Sequence, residues 1–201
     1  MIILGLTGSI GMGKTTTAKM FADAGAYVFG ADVAVHKLYA KGGAAVPLLR
    51  AVFPDVIVDA AVDRGRLSKH LQADPLHIQV LESFIHPMVV AMRAEAIAQA
   101  KQQGVKVFVA DIPLLFETDG EVHVDKTVVV SASQPVQKAR VLAREGMTEA
   151  KFKMIKSRQI PDEEKRALAD YIIETDKGLD HARAQVLEIM AVLEDEYVCT
   201  Q

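Results

Sequence analysis

Residues 4–16 read LGLTGSIGMGKTT. The apolar run Ile2–Leu6 stops at Thr7-Gly8, a glycine-rich turn follows, and Lys14 with Thr15, Thr16 and Thr17 opens a stretch of helical periodicity. Gly8-Ser9-Ile10-Gly11-Met12-Gly13-Lys14-Thr15 fits G-x-x-x-x-G-K-[ST] between a strand and a helix, the context in which that pattern cradles phosphate. Glycines let successive backbone N–H groups turn inward on an anion. The helix start adds unpaired donors and a positive dipole end. Lys14 is placed to reach the β- and γ-phosphates, and the hydroxyl of Thr15 to ligate Mg²⁺. The expected nucleotide-binding set is therefore Gly8, Ser9, Ile10, Gly11, Met12, Gly13, Lys14, Thr15 and Thr16.

Outward from this turn, short apolar segments alternate with helical ones. Ile2–Leu6, Tyr27–Phe29, Val105–Ala110, Lys126–Val130 and Tyr171–Ile173 read as strands. Lys14–Ala24, Pro75–Gln103, Gln134–Arg144, Glu149–Arg158 and Leu179–Glu196 read as helices. Strands apolar on both faces and separated by helices predict an α/β fold with a parallel sheet covered on both sides. No convincing strand is visible in 41–104, which reads as a helical insertion, with Pro54, Pro75 and Pro87 at helix starts or turns.

The 201 residues are 50% hydrophobic with a net charge of −3, an ordinary globular composition that argues against a general nucleic-acid binder. One cysteine, Cys199, rules out an intrachain disulfide, and no apolar stretch approaches a membrane span. These features predict a soluble cytoplasmic protein. Positive charge gathers in 138–166, where nine Lys/Arg face five Asp/Glu. Arg140 and Arg144, four apart on one predicted helix face, repel each other unless an anion lies between them.

Phosphate loops serve switches and kinases alike. A guanine-selecting switch usually carries N-K-x-D or T-K-x-D, and here no lysine is followed two residues later by aspartate. A kinase needs a carboxylate for the acceptor hydroxyl, cations over the transferring phosphoryl, and an acceptor pocket. Asp32, just past the second strand, lies at the carboxyl edge where open parallel sheets bind ligands, and it equally suits a helix N-cap. Asp111 ends the third strand (VFVAD) in the manner of a Mg²⁺-holding Walker B aspartate, and Pro113–Glu117 continues it as pocket wall or core.

The ordered set LTGSIGMGKTT, GADVAVHKLY, LESFIHPMV, DIPLLFE, KARVLAREGMTEAKFKMIKSRQ and ADYII, from Ile3 to about Gly178, resembles the dephospho-CoA kinase family. The resemblance implies a P-loop NTPase-type fold: five parallel strands in the order 2-3-1-4-5 flanked by helices, with a helical acceptor-binding insertion and a small helical lid. It implies a single kinase domain over 1–201. The nucleotide core would span about 1–40, 105–135 and 168–201, the acceptor insertion about 41–104 and the lid about 136–167. It implies transfer of the γ-phosphoryl of ATP, with Mg²⁺, to the ribose 3′-hydroxyl of dephospho-CoA, in a monomer or weak homo-oligomer with small-molecule substrates only. Asp32 becomes the expected general base, and Arg140 and Arg144, with Lys14, the cations over the phosphates. His86, ahead of Pro87, and the turn Leu114-Leu115 become acceptor contacts, and Thr15 and Asp111 metal ligands. The chain departs from the family pattern at Gly30, where aspartate is usual, and at His36, where arginine is common. It departs again at Thr175-Asp176, where an asparagine is expected near the adenine.

Overall fold

The computed structural model describes residues 1–74 and 76–199; Pro75, read above as a helix start, lies outside them. The elements run β1 (Ile2–Thr7), α1 (Lys14–Asp23), β2 (Tyr27–Gly30), α2 (Ala31–Tyr39), α3 (Val46–Val52), β3 (Ile57–Val58), β4 (Ala61–Val62), α4 (Arg64–Ala73) and α5 (Leu76–Gln102). They continue as β5 (Val107–Asp111), β6 (Lys126–Ser131), α6 (Gln134–Leu142), α7 (Glu149–Lys156), α8 (Asp162–Leu168), β7 (Tyr171–Glu174) and α9 (Leu179–Cys199). Short 3₁₀ turns cover Pro54–Val56, Phe116–Thr118 and Gly120–His123.

The chain divides into two compact units, Met1–Phe29 with Gln99–Gln201, and Gly30–Ala98. The first is built on a five-stranded sheet in the order β2-β5-β1-β6-β7, which is 2-3-1-4-5 counted along its own strands. The central pairings, β1 with β5, β1 with β6 and β6 with β7, are parallel. Because strand side chains alternate, Leu4, Leu6, Val107, Val109, Val128, Val130 and Ile173 share one buried cluster with Phe21 of α1 and Val186 and Leu193 of α9. Phe108 and Val129, between these positions, are also fully buried. Their burial explains why the strands read as continuous apolar runs instead of alternating ones. At the sheet edge the ring of Tyr27 stacks on Phe108 with centroids 5.5 Å apart.

The unit Gly30–Ala98 has its own core of Leu38, Leu49, Phe53, Val56, Leu67 and Ile85. Two readings are corrected here. The stretch 41–104 is not strand-free, since β3 and β4 form a small antiparallel hairpin. Asp59 and Ala60, at its turn, both have positive φ, a conformation that residue propensities argue against and that the hairpin imposes. Pro87 does not start a helix but lies inside α5. A proline removes one N–H bond and crowds the preceding turn, so a 27-residue helix can carry it only by drawing on packing elsewhere along its length. No helix among the described residues is long and apolar enough to cross a membrane.

Candidate active site

The turn between β1 and α1 has the conformation its glycines predict. Gly11 and Gly13 have φ of 81° and 100°, and Gly13 caps α1 in the left-handed region. A Cβ at Gly11 would lie 2.5 Å from a methyl of Val141 in α6, so glycine is required by space as well as by φ. Ser9 and Met12 are buried, whereas Thr15 and Thr16 are exposed on the first turn of α1. Thr17 turns inward and its hydroxyl donates to Gly13 O at 3.3 Å.

Lys14 pairs with Asp111, the last residue of β5. The two side chains are 15% and 17% exposed, enough shielding for the pair to be stronger than a surface ion pair. Strand register sets Asp111 at the edge from which the loop leaves, because Leu6 of β1 lies level with Asp111 of β5. The Thr15 hydroxyl and the Asp111 carboxylate are hard-oxygen donors, the chemistry that suits Mg²⁺.

Arg140 reaches the loop through Thr175, the residue after β7. Its guanidinium donates to Thr175 Oγ1 at 2.8 Å and to Thr175 O at 2.7 Å. The Thr175 hydroxyl in turn donates to Met12 O at 2.7 Å. Arg144 does not share the helix with Arg140 as expected: α6 ends at Leu142, and Arg144 lies past its cap. Both arginines nonetheless line one cavity of about 290 Å³, with Gly13, Thr16, Thr175 and Leu179. A second, more polar cavity of about 420 Å³ lies among Ser9, Ser131, Gln159, Asp162 and Asp176. At its edge Asp176 accepts from Ser133 N at 2.9 Å, just ahead of α6. That backbone bond holds the Asp176 carboxyl below its ordinary value.

Asp32 is exposed in the first turn of α2, whose N-cap is Gly30, not Asp32. His86 is exposed within α5. In the same unit His36 Nδ1 lies 3.1 Å from the Arg64 guanidinium of α4. Leu114 is 39% exposed, but Leu115 is wholly buried. A Cβ on Gly5 of β1 would come within 2.9 Å of it, so Leu115 acts as packing behind Leu114.

Sequence reasoning missed Gln137, Gln159 and Glu117. Gln137 and Gln159 bond the peptide groups of Ile10 from 127 and 149 residues away. Glu117 accepts from Ile160 N at 2.9 Å and lies 2.7 Å from the fully buried ammonium of Lys165. Neutral amides carry no charge pattern, and Glu117 closed an apolar run that read as pocket wall or core, so none stood out.

The dephospho-CoA kinase family model matches residues 2–181. A dephospho-CoA kinase of Mesorhizobium japonicum is 54% identical over 186 residues, 92% of this chain and 93% of that one. A crystal structure from Thermus thermophilus superimposes with a TM-score of 0.82 at 29% identity, over 95% of this chain and 96% of that one. The dephospho-CoA kinase of Campylobacter jejuni shares the fold, with a TM-score of 0.65 at 21% identity over 95% and 96% of the two chains. A phosphate loop at the head of a 2-3-1-4-5 parallel sheet, matched almost end to end by these relatives, leads to one assignment: the chain belongs to the dephospho-CoA kinase family.

Proposed function

We propose that the chain phosphorylates the ribose 3′-hydroxyl of dephospho-CoA with ATP, giving CoA and ADP. The observation that carries this reading is the convergence of Lys14, Asp111 and the Arg140–Thr175 pair on one glycine-shaped loop. Gly8–Thr16 form the loop that holds the triphosphate, chiefly through the backbone N–H groups that open α1. Lys14 leaves Asp111 for the β- and γ-phosphate oxygens. Arg140 and Arg144 neutralise charge that spreads over the transferring oxygens as the bond to the leaving group lengthens. Thr15 and Asp111 would hold Mg²⁺, which when bound neutralises phosphate charge and orients the γ-phosphoryl.

The ribose oxygen forms the new bond to the γ-phosphorus. The bond from that phosphorus to the β–γ bridging oxygen breaks, and its electron pair leaves on ADP. Asp32 orients the hydroxyl and accepts its proton late in the transfer. His86 and Leu114, backed by Leu115, contact the acceptor. The working parts follow as a nucleotide core (about 1–40, 105–135 and 168–201), an acceptor-binding region (about 41–104) and a lid (about 136–167). We place the reaction in the cytoplasm, in a monomer or weak homo-oligomer with no nucleic-acid or membrane partner.

The test is an incubation with ATP, Mg²⁺ and dephospho-CoA, followed by chromatography of CoA and ADP. Stoichiometric CoA and ADP are expected. ATP consumption that is equal with and without dephospho-CoA would overturn the acceptor. Asp32→Asn is expected to keep ATP affinity and to lower turnover by roughly 10²–10⁴-fold. Lost ATP binding with normal turnover of the bound complex would make Asp32 structural.

A further inference from the structure

We propose that Gln159 is a positioning residue that holds the phosphate loop in its nucleotide-ready bend before ATP arrives. The inference rests on the kinase reading above for its consequence, but not for its geometry. Two consecutive peptide groups at the loop's tip are gripped by side-chain amides from outside the loop. Ile10 N donates to Gln159 Oε1 at 3.0 Å, and Gln137 Nε2 donates to Ile10 O at 2.8 Å. Gln137 comes from α6 and is 1% exposed. Gln159 comes from the turn between α7 and α8, so the two amides bracket Ile10 from both ends of the proposed lid.

Gln159 is itself fixed in place. The next peptide N–H, that of Ile160, donates to Glu117 Oε1 at 2.9 Å. Glu117 is 11% exposed and lies 2.7 Å from the fully buried ammonium of Lys165 on α8. Ser131 at the end of β6 donates to Asp162 at the start of α8 at 2.5 Å. The turn carrying Gln159 is thus tied to the segment after β5 and to β6, and it transmits that rigidity to Ile10. This matters because a loop with Gly8, Gly11 and Gly13 loses much backbone freedom on closing around an anion. A loop already bent by outside bonds has less ordering left to do when ATP binds, and its affinity rises accordingly. The Ile10 N–H, spent on Gln159, is then not one of the phosphate donors, which come from the residues that open α1.

The test compares Gln159→Ala and Gln159→Glu with the parent chain. In Gln159→Ala the Ile10 amide of the nucleotide-free, ¹⁵N-labelled protein should exchange its hydrogen roughly tenfold faster, while amides in β1 and β6 keep their rates. Its Kd for ATP·Mg²⁺ by calorimetry should rise about three- to tenfold, the effect of one lost hydrogen bond. Turnover at saturating ATP and the KM for dephospho-CoA should hold. Gln159→Glu keeps an acceptor oxygen at the same reach and should restore the protection of Ile10. Unchanged exchange at Ile10 in Gln159→Ala overturns the contact; faster exchange with unchanged ATP affinity overturns the positioning role. Both readouts are independent of the acceptor. A parent chain that binds ATP but phosphorylates no dephospho-CoA would therefore sink the functional reading and leave this inference standing.

Discussion

Gly11→Ala separates two reasons for a glycine. Its φ of 81° costs an alanine about 1–2 kcal/mol. The added Cβ would also sit 2.5 Å from Val141 Cγ2 and 3.1 Å from Gln137 O. Val141 is fully buried and cannot swing aside, so the crowding adds about 1–3 kcal/mol. The sum is about 2–5 kcal/mol, or a fall of roughly 5–15 °C in melting temperature for a chain of this size. Gly25 is an internal control. Its φ is 96° and nothing lies within 4 Å of the Cβ it lacks, so Gly25→Ala should show the conformational part alone, about 1–2 kcal/mol. The crowding part is then read from a cycle with Val141→Ala, which removes the opposing methyl. In that background Gly11→Ala should cost about 1–3 kcal/mol less than in the parent. The assay is calorimetric or denaturant unfolding of the four chains of the cycle and of Gly25→Ala. Strict additivity of Gly11→Ala and Val141→Ala, with Gly11→Ala no worse than Gly25→Ala, would refute the steric argument.

Lys14→Met removes the ammonium that Asp111 holds ready, and steady-state turnover should fall by at least about 100-fold with the fold retained; near-parental turnover would take Lys14 out of the reaction. Thr175→Val deletes the hydroxyl between Arg140 and Met12 O and should lower kcat/KM for ATP about 5- to 30-fold, with Thr175→Ser close to the parent. Equal kinetics for the valine and serine variants would count against the link. Asp176, whose carboxyl is depressed by the Ser133 N–H, adds stability that is present above its ordinary value of 3.8 and is lost as pH falls through its lower folded value. Asp176→Asn should flatten the acid side of a melting-temperature profile below about pH 4 and leave its slope near pH 7 unchanged, and an unaltered acid side would show that the bond contributes nothing.

The chain alone determined the parallel core and the phosphate loop. Both are local: five short apolar runs must each bury two faces, and Gly11, Gly13, Lys14 and Thr15 state their chemistry within one turn. Asp111 was legible for the same reason, since its place at a strand end follows from counting. Tertiary structure decided what joins the loop to its surroundings. Arg140 meets the loop through Thr175, 35 residues on, and Gln137, Gln159 and Glu117 close their bonds across 43 to 149 residues. Pairings at that separation leave no periodicity in the chain. The hairpin of β3 and β4 and the unbroken run of α5 through Pro87 were hidden by a related effect, because packing there outweighs weak local preferences. A backbone pattern repeats along the sequence and can be counted, whereas a side-chain amide finds its partner only after the sheet has brought distant ends together.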